Sequence, residues 1–561
     1  MLGLSAALFG ACSSDENINS GNGPKGDEAY VSLSIALPTT SRAARAEAYQ
    51  DQYSNGEKNE YNVEDLKIVY FTKPANSESY DDYTVVSSQD VNKEDLIWTP
   101  STNGITTVAT LPVQKVSNSV NAVLVLINPG QALSGAINAG TTFSSLNVAM
   151  SYENVATLTT KGSETNYFFM SNSPLNDGTT LVPVTAYNRE ETAKANTKAV
   201  YVERAVAKVS FDKGNLTENG GNWQVEAKAP YQGDKVTFTN WALDVINKKE
   251  YPVRKYNTGW NDWHANGTTD TRFLATKLLE TSKQRTYWAT DPNYDKADMP
   301  VYASGVVDKT KSTDFKYINE SDVTTTMATS AYCTENTFDV THMKQGETTR
   351  VIVKAQYQPQ TNLEDGLDAS NFTAGQTWYR VGNSAKACND TKLKEKVLAA
   401  VQTVTVGATA VNLVSDNIAA GEQKDFTAEM FTVTDGTTST SRTMNDNELT
   451  AVKTALGKLT VFKDGICYYV ARIRHFNDGQ LGEWDGTDYT QNGDEQTRKD
   501  FLGRYGIVRN NWYQLTINSV SAPGTPTIPI PGDTPDDEQN YYLQTSVKIM
   551  DWAVRKQGLD F

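Results

Sequence analysis

The chain has 561 residues, 38% hydrophobic, with 28 tyrosines and 10 tryptophans, which is enough for roughly two to four domains with sizeable cores and argues against wholesale disorder. Its 51 basic and 67 acidic residues leave a net charge of −16, which argues against nucleic acid or an anionic membrane surface as partner, because both select basic patches. Beyond residue 12 the longest purely apolar run is Ala122 to Ile127, far short of a transmembrane helix.

In chain order, Leu2 to Ala11 is small and apolar and leads to Cys12, with Phe9-Gly10-Ala11-Cys12 as a loose lipobox. Residues 1–12 are therefore read as a lipoprotein signal segment, truncated because it lacks a basic start, with lipidation at Cys12. Residues 13–28 are a polar, Gly- and Asn-rich tether. Val31, Leu33, Ile35 and Leu37 then alternate with Ser32, Ser34 and Ala36, the period of a half-buried strand. Pro38 ends it, having no N–H to donate. Thr39 to Ala46 is small and polar, with Arg42 and Arg45, and reads as an exposed loop open to a protease. The first strand can thus be severed after either arginine. Its four large side chains should contribute about 6–12 kcal/mol, at about 1.5–3 kcal/mol each, an upper estimate.

Strand signals follow in series at Leu66–Thr72, Ile105–Leu111, Ala122–Asn128, Tyr167–Ser171, Thr180–Val184 and Val200–Phe211, separated by Asn, Gly, Ser and Pro. Such spacing predicts a β-sandwich over 46–212, with a short helix between Pro129 and Met170. The turn-rich stretch 213–222 marks a domain boundary. A second β-rich domain, 213–521, has strands at Lys235–Ile246, Arg350–Tyr357, Leu459–Phe462, Ile466–Arg474 and Trp512–Val520. It carries large insertions at 252–330 and 360–450, with helices at Leu393–Ala400 and Asn447–Leu456. Five prolines make 522–540 an extended linker, its nineteen residues able to span about 50 Å. A last alternating row follows in 541–561, where Leu543, Thr545, Val547 and Ile549 take turns with Gln544, Ser546 and Lys548. The two terminal rows match in length and character, so the last strand of one copy could fill the seat of another's first strand; the plain alternative is an ordinary first and last strand.

Signs of chemistry are few. His264, His342 and His475 lack metal-ligand spacing, and no nucleophile, phosphate-loop or dinucleotide motif occurs. Neither a metal nor a cofactor is expected. Asp291–Asp295 and Asp485–Asp494 read as solvated turns in preference to calcium loops. Trp260, Trp263 and His264 could stack on sugars but fit better as packing for their own insertion. Cys333, Cys388 and Cys467 read as buried free thiols, with one disulfide left open.

Several stretches carry a family resemblance. They are Val123-Leu-Val-Leu-Ile-Asn-Pro129, Phe168-Phe-Met-Ser-Asn172, Val202-Glu-Arg-Ala-Val-Ala-Lys-Val209, Tyr287-Trp-Ala-Thr-Asp-Pro-Asn-Tyr294, Tyr332-Cys-Thr-Glu-Asn-Thr-Phe338, Tyr468-Tyr-Val-Ala-Arg-Ile-Arg-His-Phe476 and Gly506-Ile-Val-Arg-Asn-Asn-Trp-Tyr513. In this order the chain resembles the Bacteroidales type V fimbrillins, most of all the major subunits of Porphyromonas minor (short) fimbriae. Ser13-Ser-Asp-Glu16 resembles the surface-export signal of Bacteroidetes lipoproteins. The resemblance implies a mainly β fold, with two transthyretin-like β-sandwich domains and a C-terminal donor-strand arm. It implies an outer-membrane lipoprotein precursor cut by an arginine-specific protease, best matched at Arg45–Ala46 and next at Arg42–Ala43. Leu543, Val547, Ile549, Trp552 and Val554 would then enter a neighbouring copy, with a break in phase between Ile549 and Trp552. The implied product is a non-enzymatic stalk subunit of a surface fimbrium serving adhesion and biofilm formation. Its partners would be copies of itself, tip and anchor subunits, and host or bacterial adhesion targets. The alternative is a monomeric surface lipoprotein that binds glycans.

Overall fold

Apolar rows along the chain become strands, and the strands sort into sheets on either side of Val206. The computed structural model describes residues 27–38, 52–53, 57–100, 106–148, 150–151, 155–161, 167–262, 273–278, 283–294, 300–476, 484, 489–491, 494–496, 498–537, 543–550 and 553–556. The chain is mainly β, with several sheets. Among the described residues no helix is long and apolar enough to cross a membrane.

The first apolar row is two strands, β1 (Glu28–Val31) and β2 (Leu33–Pro38), parted at Ser32, whose hydroxyl meets that of Thr197 at 2.8 Å. After them come β3 (Leu66–Thr72), β4 (Thr84–Val91), β5 (Ile97–Pro100), β6 (Thr106–Thr110), β7 (Gln114–Ser117), β8 (Ala122–Ile127), β9 (Met170–Asn172) and β10 (Lys198–Arg204). Among the described residues they form a nine-stranded sheet in the order β4-β3-β8-β9-β10-β2-β6-β5, with Val182–Pro183 beside β8 and β1 paired to β7 apart. Strand β8 is buried at all six positions, and cover on both faces is why it reads as an unbroken apolar run. Short helices at Gln131–Ala136 and Phe143–Leu146 occupy the stretch where one was predicted.

The row Val200–Phe211, predicted as one strand, is two: β10 stops at Arg204, and β11 (Ala207–Asp212) opens another sheet. Val206 packs in the first core and Ala207 in the second. The change of core therefore precedes the 213–222 turn, where the sequence suggested it. Those residues instead build the hairpin of β12 (Thr217–Asn219) and β13 (Asn222–Glu226).

The second half continues with β14 (Lys235–Asp244), β15 (Ala331–Cys333), β16 (Arg350–Gln358), β17 (Trp378–Val381), α1 (Asp390–Gln402), β18 (Ala408–Leu413), β19 (Gly421–Lys424), β20 (Phe431–Asp435), β21 (Ser441–Thr443), α2 (Asp446–Leu456), β22 (Leu459–Phe462), β23 (Ile466–Arg472), β24 (Trp512–Val520), β25 (Leu543–Met550) and β26 (Ala553–Lys556). One sheet runs β12-β13-β14-β16-β23; another runs β15-β11-β24-β25-β26 and ends on Gln52–Tyr53. Trp241 and Val353 from the first meet Val209, Tyr513 and Leu515 from the second in one core.

The insertion 360–450 is more than an embellishment. Helices α1 and α2 and the small sheets β17-β22-β19 and β18-β20-β21 enclose a third core that includes Leu393, Val397, Phe426, Phe431, Val452 and Val461. Asn389 caps α1, and Asn445 with Glu448 forms a capping box on α2, which satisfies first-turn N–H groups and fixes where each helix starts.

Candidate functional site

The two terminal strands define the candidate site. Strand β2 lies inside the first sheet. It runs parallel to β10, from Leu33 opposite Lys198 to Ala36 opposite Tyr201, and antiparallel to β6, from Ser34 opposite Thr110 to Pro38 opposite Thr106. Val31, Leu33, Ile35 and Leu37 are all at most 2% exposed and sit in the first core. Strand β1 pairs with β7, and Tyr30 exchanges both backbone hydrogen bonds with Tyr187, at 2.7 and 2.9 Å. Loss of this segment would leave the facing edges of β10 and β6 unpaired, and an unpaired edge is a template for another strand. Cys12, Arg42, Ala43, Arg45 and Ala46 lie outside the described residues.

At the other end, β25 runs antiparallel to β24, with Leu543 opposite Val520, Val547 opposite Leu515 and Ile549 opposite Tyr513, and the register slips between Ile517 and Ser519. Strand β26, which carries Val554, pairs with β25 and with Gln52–Tyr53. Strand β25 ends at Met550 and β26 begins at Ala553. Trp552 lies outside the described residues. In this state the last strand covers the edge of its own β24.

The Pro-rich stretch, expected as an extended linker able to span about 50 Å, lies against the second half as far as Asp537. Its carbonyls are taken by the body of the second half: Pro529 accepts from Arg350 Nη2 at 2.5 Å, Pro531 from Val307 N at 3.0 Å, Gly532 from Gly346 N at 2.9 Å and Thr534 from Gln345 N at 3.0 Å. Asp536 N donates to Met343 O at 3.1 Å, and buried Asp537 is ion-paired with buried Arg504. Proline removes donors and keeps the backbone extended; its neighbours' N–H groups supply what it lacks, and the stretch becomes a strap clasped as far as Asp537.

Burial, then the neighbouring Asp537, push the Asp536 carboxyl up to about 7, against the pull of Arg472 and Arg504 and the hydrogen bond from Thr348. A raised carboxyl binds its proton more tightly in the folded chain, so its contribution is whole below the unfolded value of about 4 and is lost as pH rises through about 7. The denaturant midpoint should therefore fall between pH 5 and pH 8, and Asp536→Asn should flatten part of that slope. An unchanged slope in Asp536→Asn would show that Asp536 is not the titrating group.

Between the two halves lies a buried polar junction that sequence reasoning missed. Glu203 takes both Arg254 Nε at 2.9 Å and Arg254 Nη2 at 2.7 Å, and Arg254 also donates to the carbonyls of Thr286 and Tyr287 at 2.8 Å each. Arg509 reaches Glu250 at 2.7 Å and Glu335 at 3.3 Å. Lys208 reaches Glu60 at 2.7 Å, with the Tyr332 hydroxyl donating to the same carboxylate. Arg204 donates to Glu60 O at 2.5 Å and to Asn510 Oδ1 at 3.1 Å. Four of the stretches that carry the resemblance, at 202–209, 287–294, 332–338 and 506–513, meet here. The available signal was charge inside apolar rows: Glu203, Arg204 and Lys208 interrupt a strand pattern, and buried charge survives only when paired.

Other candidates resolve as packing. Asp291 accepts from its own turn, Asn293 N at 2.7 Å, and from Thr337 N at 2.8 Å; Asp295 and 485–488 lie outside the described residues. His342 bonds Glu347, and His475 Nδ1 meets the Tyr513 hydroxyl at 2.6 Å. Cys333, Cys388 and Cys467 are free and buried, and burial pushes the thiols of Cys388 and Cys467 up to about 12. Trp260 is buried among Tyr256, Phe273 and Tyr294, so it offers no platform for a sugar; Trp263 and His264 lie outside the described residues.

Residues 460–558 match the family described as major fimbrial subunit protein type IV, fimbrillin, C-terminal. The match begins within β22 and takes in β23, β24, the strap, β25 and β26. That segment is similar to the C-terminal part of major fimbrial subunit proteins. No curated protein matches the chain. Among solved structures, a protein from Parabacteroides distasonis, provisionally described as a cell adhesion protein, is 13% identical with a TM-score of 0.35, covering 93% of this chain and 100% of that one. A fimbrial assembly protein from the same organism is 12% identical with a TM-score of 0.27, covering 64% and 94%. The tip fimbrial protein Mfa3 from Porphyromonas gingivalis, with a C-terminal truncation, is 10% identical with a TM-score of 0.27, covering 93% and 100%. Likeness this slight decides nothing about function.

Proposed function

We propose, from the premise that residues 460–558 are a fimbrillin C-terminal region, that the chain is the stalk subunit of a surface fimbrium of the kind built from the major subunits of short fimbriae. It is exported as a lipoprotein through Cys12, cut by an arginine-specific protease after Arg45 (or after Arg42), and polymerised when the 541–561 segment of one copy takes the place of another's first strand. Leu543, Val547, Ile549, Trp552 and Val554 are the side chains that enter. Two transthyretin-like sandwiches form the body. Accessory subunits provide anchor and tip, and the polymer serves adhesion and biofilm formation.

One observation carries the reading: β2 is hydrogen-bonded on both sides and buried through Leu33, Ile35 and Leu37, with Val31 of β1 beside them, and it is followed within eight residues by two arginines. A strand so placed can be removed by one cut and leaves a seat that only another extended apolar strand fits. A stalk position suits the chain because it has both a removable first strand and a last strand to give. Polymerisation of the processed chain, with and without residues 541–561, tests this. The shortened chain should fold and fail to extend a polymer. Loss of folding would instead make β25 an ordinary last strand.

A further inference from the structure

We infer that the small sheet clasping the strap is a contact surface for the next copy of this chain, an inference that rests on the strand-exchange reading. Three extended pieces lie side by side there. Tyr302–Ala303 pairs antiparallel with Val306–Val307 across a tight turn at Ser304 and Gly305, both at positive φ, and Val306 in turn pairs with Gly532. Val307 N donates to Pro531 O at 3.0 Å and Asp308 N to Val301 O at 2.8 Å. This register sets Val301, Asp308 and Ile530 in one row across the sheet, with Val306 two residues along on the same face.

That face is turned outward. Val301, Val306 and Ile530 are 36%, 38% and 49% exposed, while Val307 and Pro531, one step out of phase, are buried. Single exposed apolar side chains are ordinary, but three aligned on one face mark a contact surface. The occupant follows from the chain itself. The strap is fixed as far as Asp537, and only five residues separate it from β25. A fully extended chain covers about 3.3–3.6 Å per residue, so β25 must begin within about 20 Å of Asp537. A copy that receives β25 is therefore drawn against the clasp, and the outward face that carries Val301, Val306 and Ile530 around Asp308 is what meets it.

The test uses the full chain processed by an arginine-specific protease. Ile530→Lys and Val306→Lys each place a positive charge on that face; both side chains are exposed, and the denaturant midpoint of each variant checks its folding, so one folded variant suffices. A separate peptide of residues 541–561 should bind parent and variants alike, whereas polymer extension should fall about tenfold for each side chain, the factor equal to about 1.4 kcal/mol. Variants that extend as well as the parent overturn the surface and leave strand exchange standing. A peptide that binds neither parent nor variants overturns strand exchange, and this surface with it.

Discussion

A chain trimmed to begin at Ala46, with no strand supplied in return, should lose a large part of the stability of its first half. Val31, Leu33, Ile35 and Leu37 are at most 2% exposed, and burial of such side chains contributes about 1.5–3 kcal/mol each. The sum, about 6–12 kcal/mol before the discount for residual burial in the unfolded chain, is as large as the whole stability of an ordinary domain, about 5–15 kcal/mol. Three ladders are broken as well, those of β2 to β10 and to β6 and that of β1 to β7. Calorimetry should show the transition of the first half moved down or lost, and a peptide of residues 28–38 added in trans should restore it. An unchanged transition after trimming would mean that β2 is dispensable and its seat is no acceptor.

Arg254→Ala should be the costliest single substitution at the junction. It leaves Glu203, fully buried, without the guanidinium that satisfies both carboxylate oxygens. Removing one partner of a buried pair costs about 3–5 kcal/mol. The double substitution Glu203→Gln with Arg254→Met should recover most of that loss, because an apolar replacement of a buried pair is often close to neutral. Urea midpoints of the single and double variants give both values. A single variant within about 1 kcal/mol of the parent, the range of exposed pairs, would show that water reaches Glu203 and that the junction does not fasten the halves.

Legibility in the sequence followed the burial pattern. Trp512–Val520 matched its predicted limits because alternation is the direct imprint of one covered face, and Leu66–Thr72 matched as a short apolar run, with Ile68 to Phe71 buried in succession. The helices expected at Leu393–Ala400 and Asn447–Leu456 lie within a few residues of α1 and α2. The break at Ala205–Val206 was overlooked although it is written in the chain: the apolar phase moves from Val200 and Val202 to Ala207, Val209 and Phe211. The third core was missed because its strands are short and its apolar residues spread over some eighty positions, from Tyr379 to Val461, with no local period. The strap's partners were not legible, since proline content reports backbone shape, whereas the partners of its carbonyls come from residues about two hundred positions away. The junction could not be assembled from sequence at all; its charges come from stretches as distant as Glu60 and Arg509.

The most direct measurement of strand exchange is the intact mass and polymer state of the chain before and after an arginine-specific protease. Strand exchange predicts that the mass falls to that of the 46–561 fragment and that a ladder of oligomers appears, absent when residues 541–561 are deleted. A chain that is cut at Arg45 or Arg42, keeps its fold and stays monomeric would contradict it.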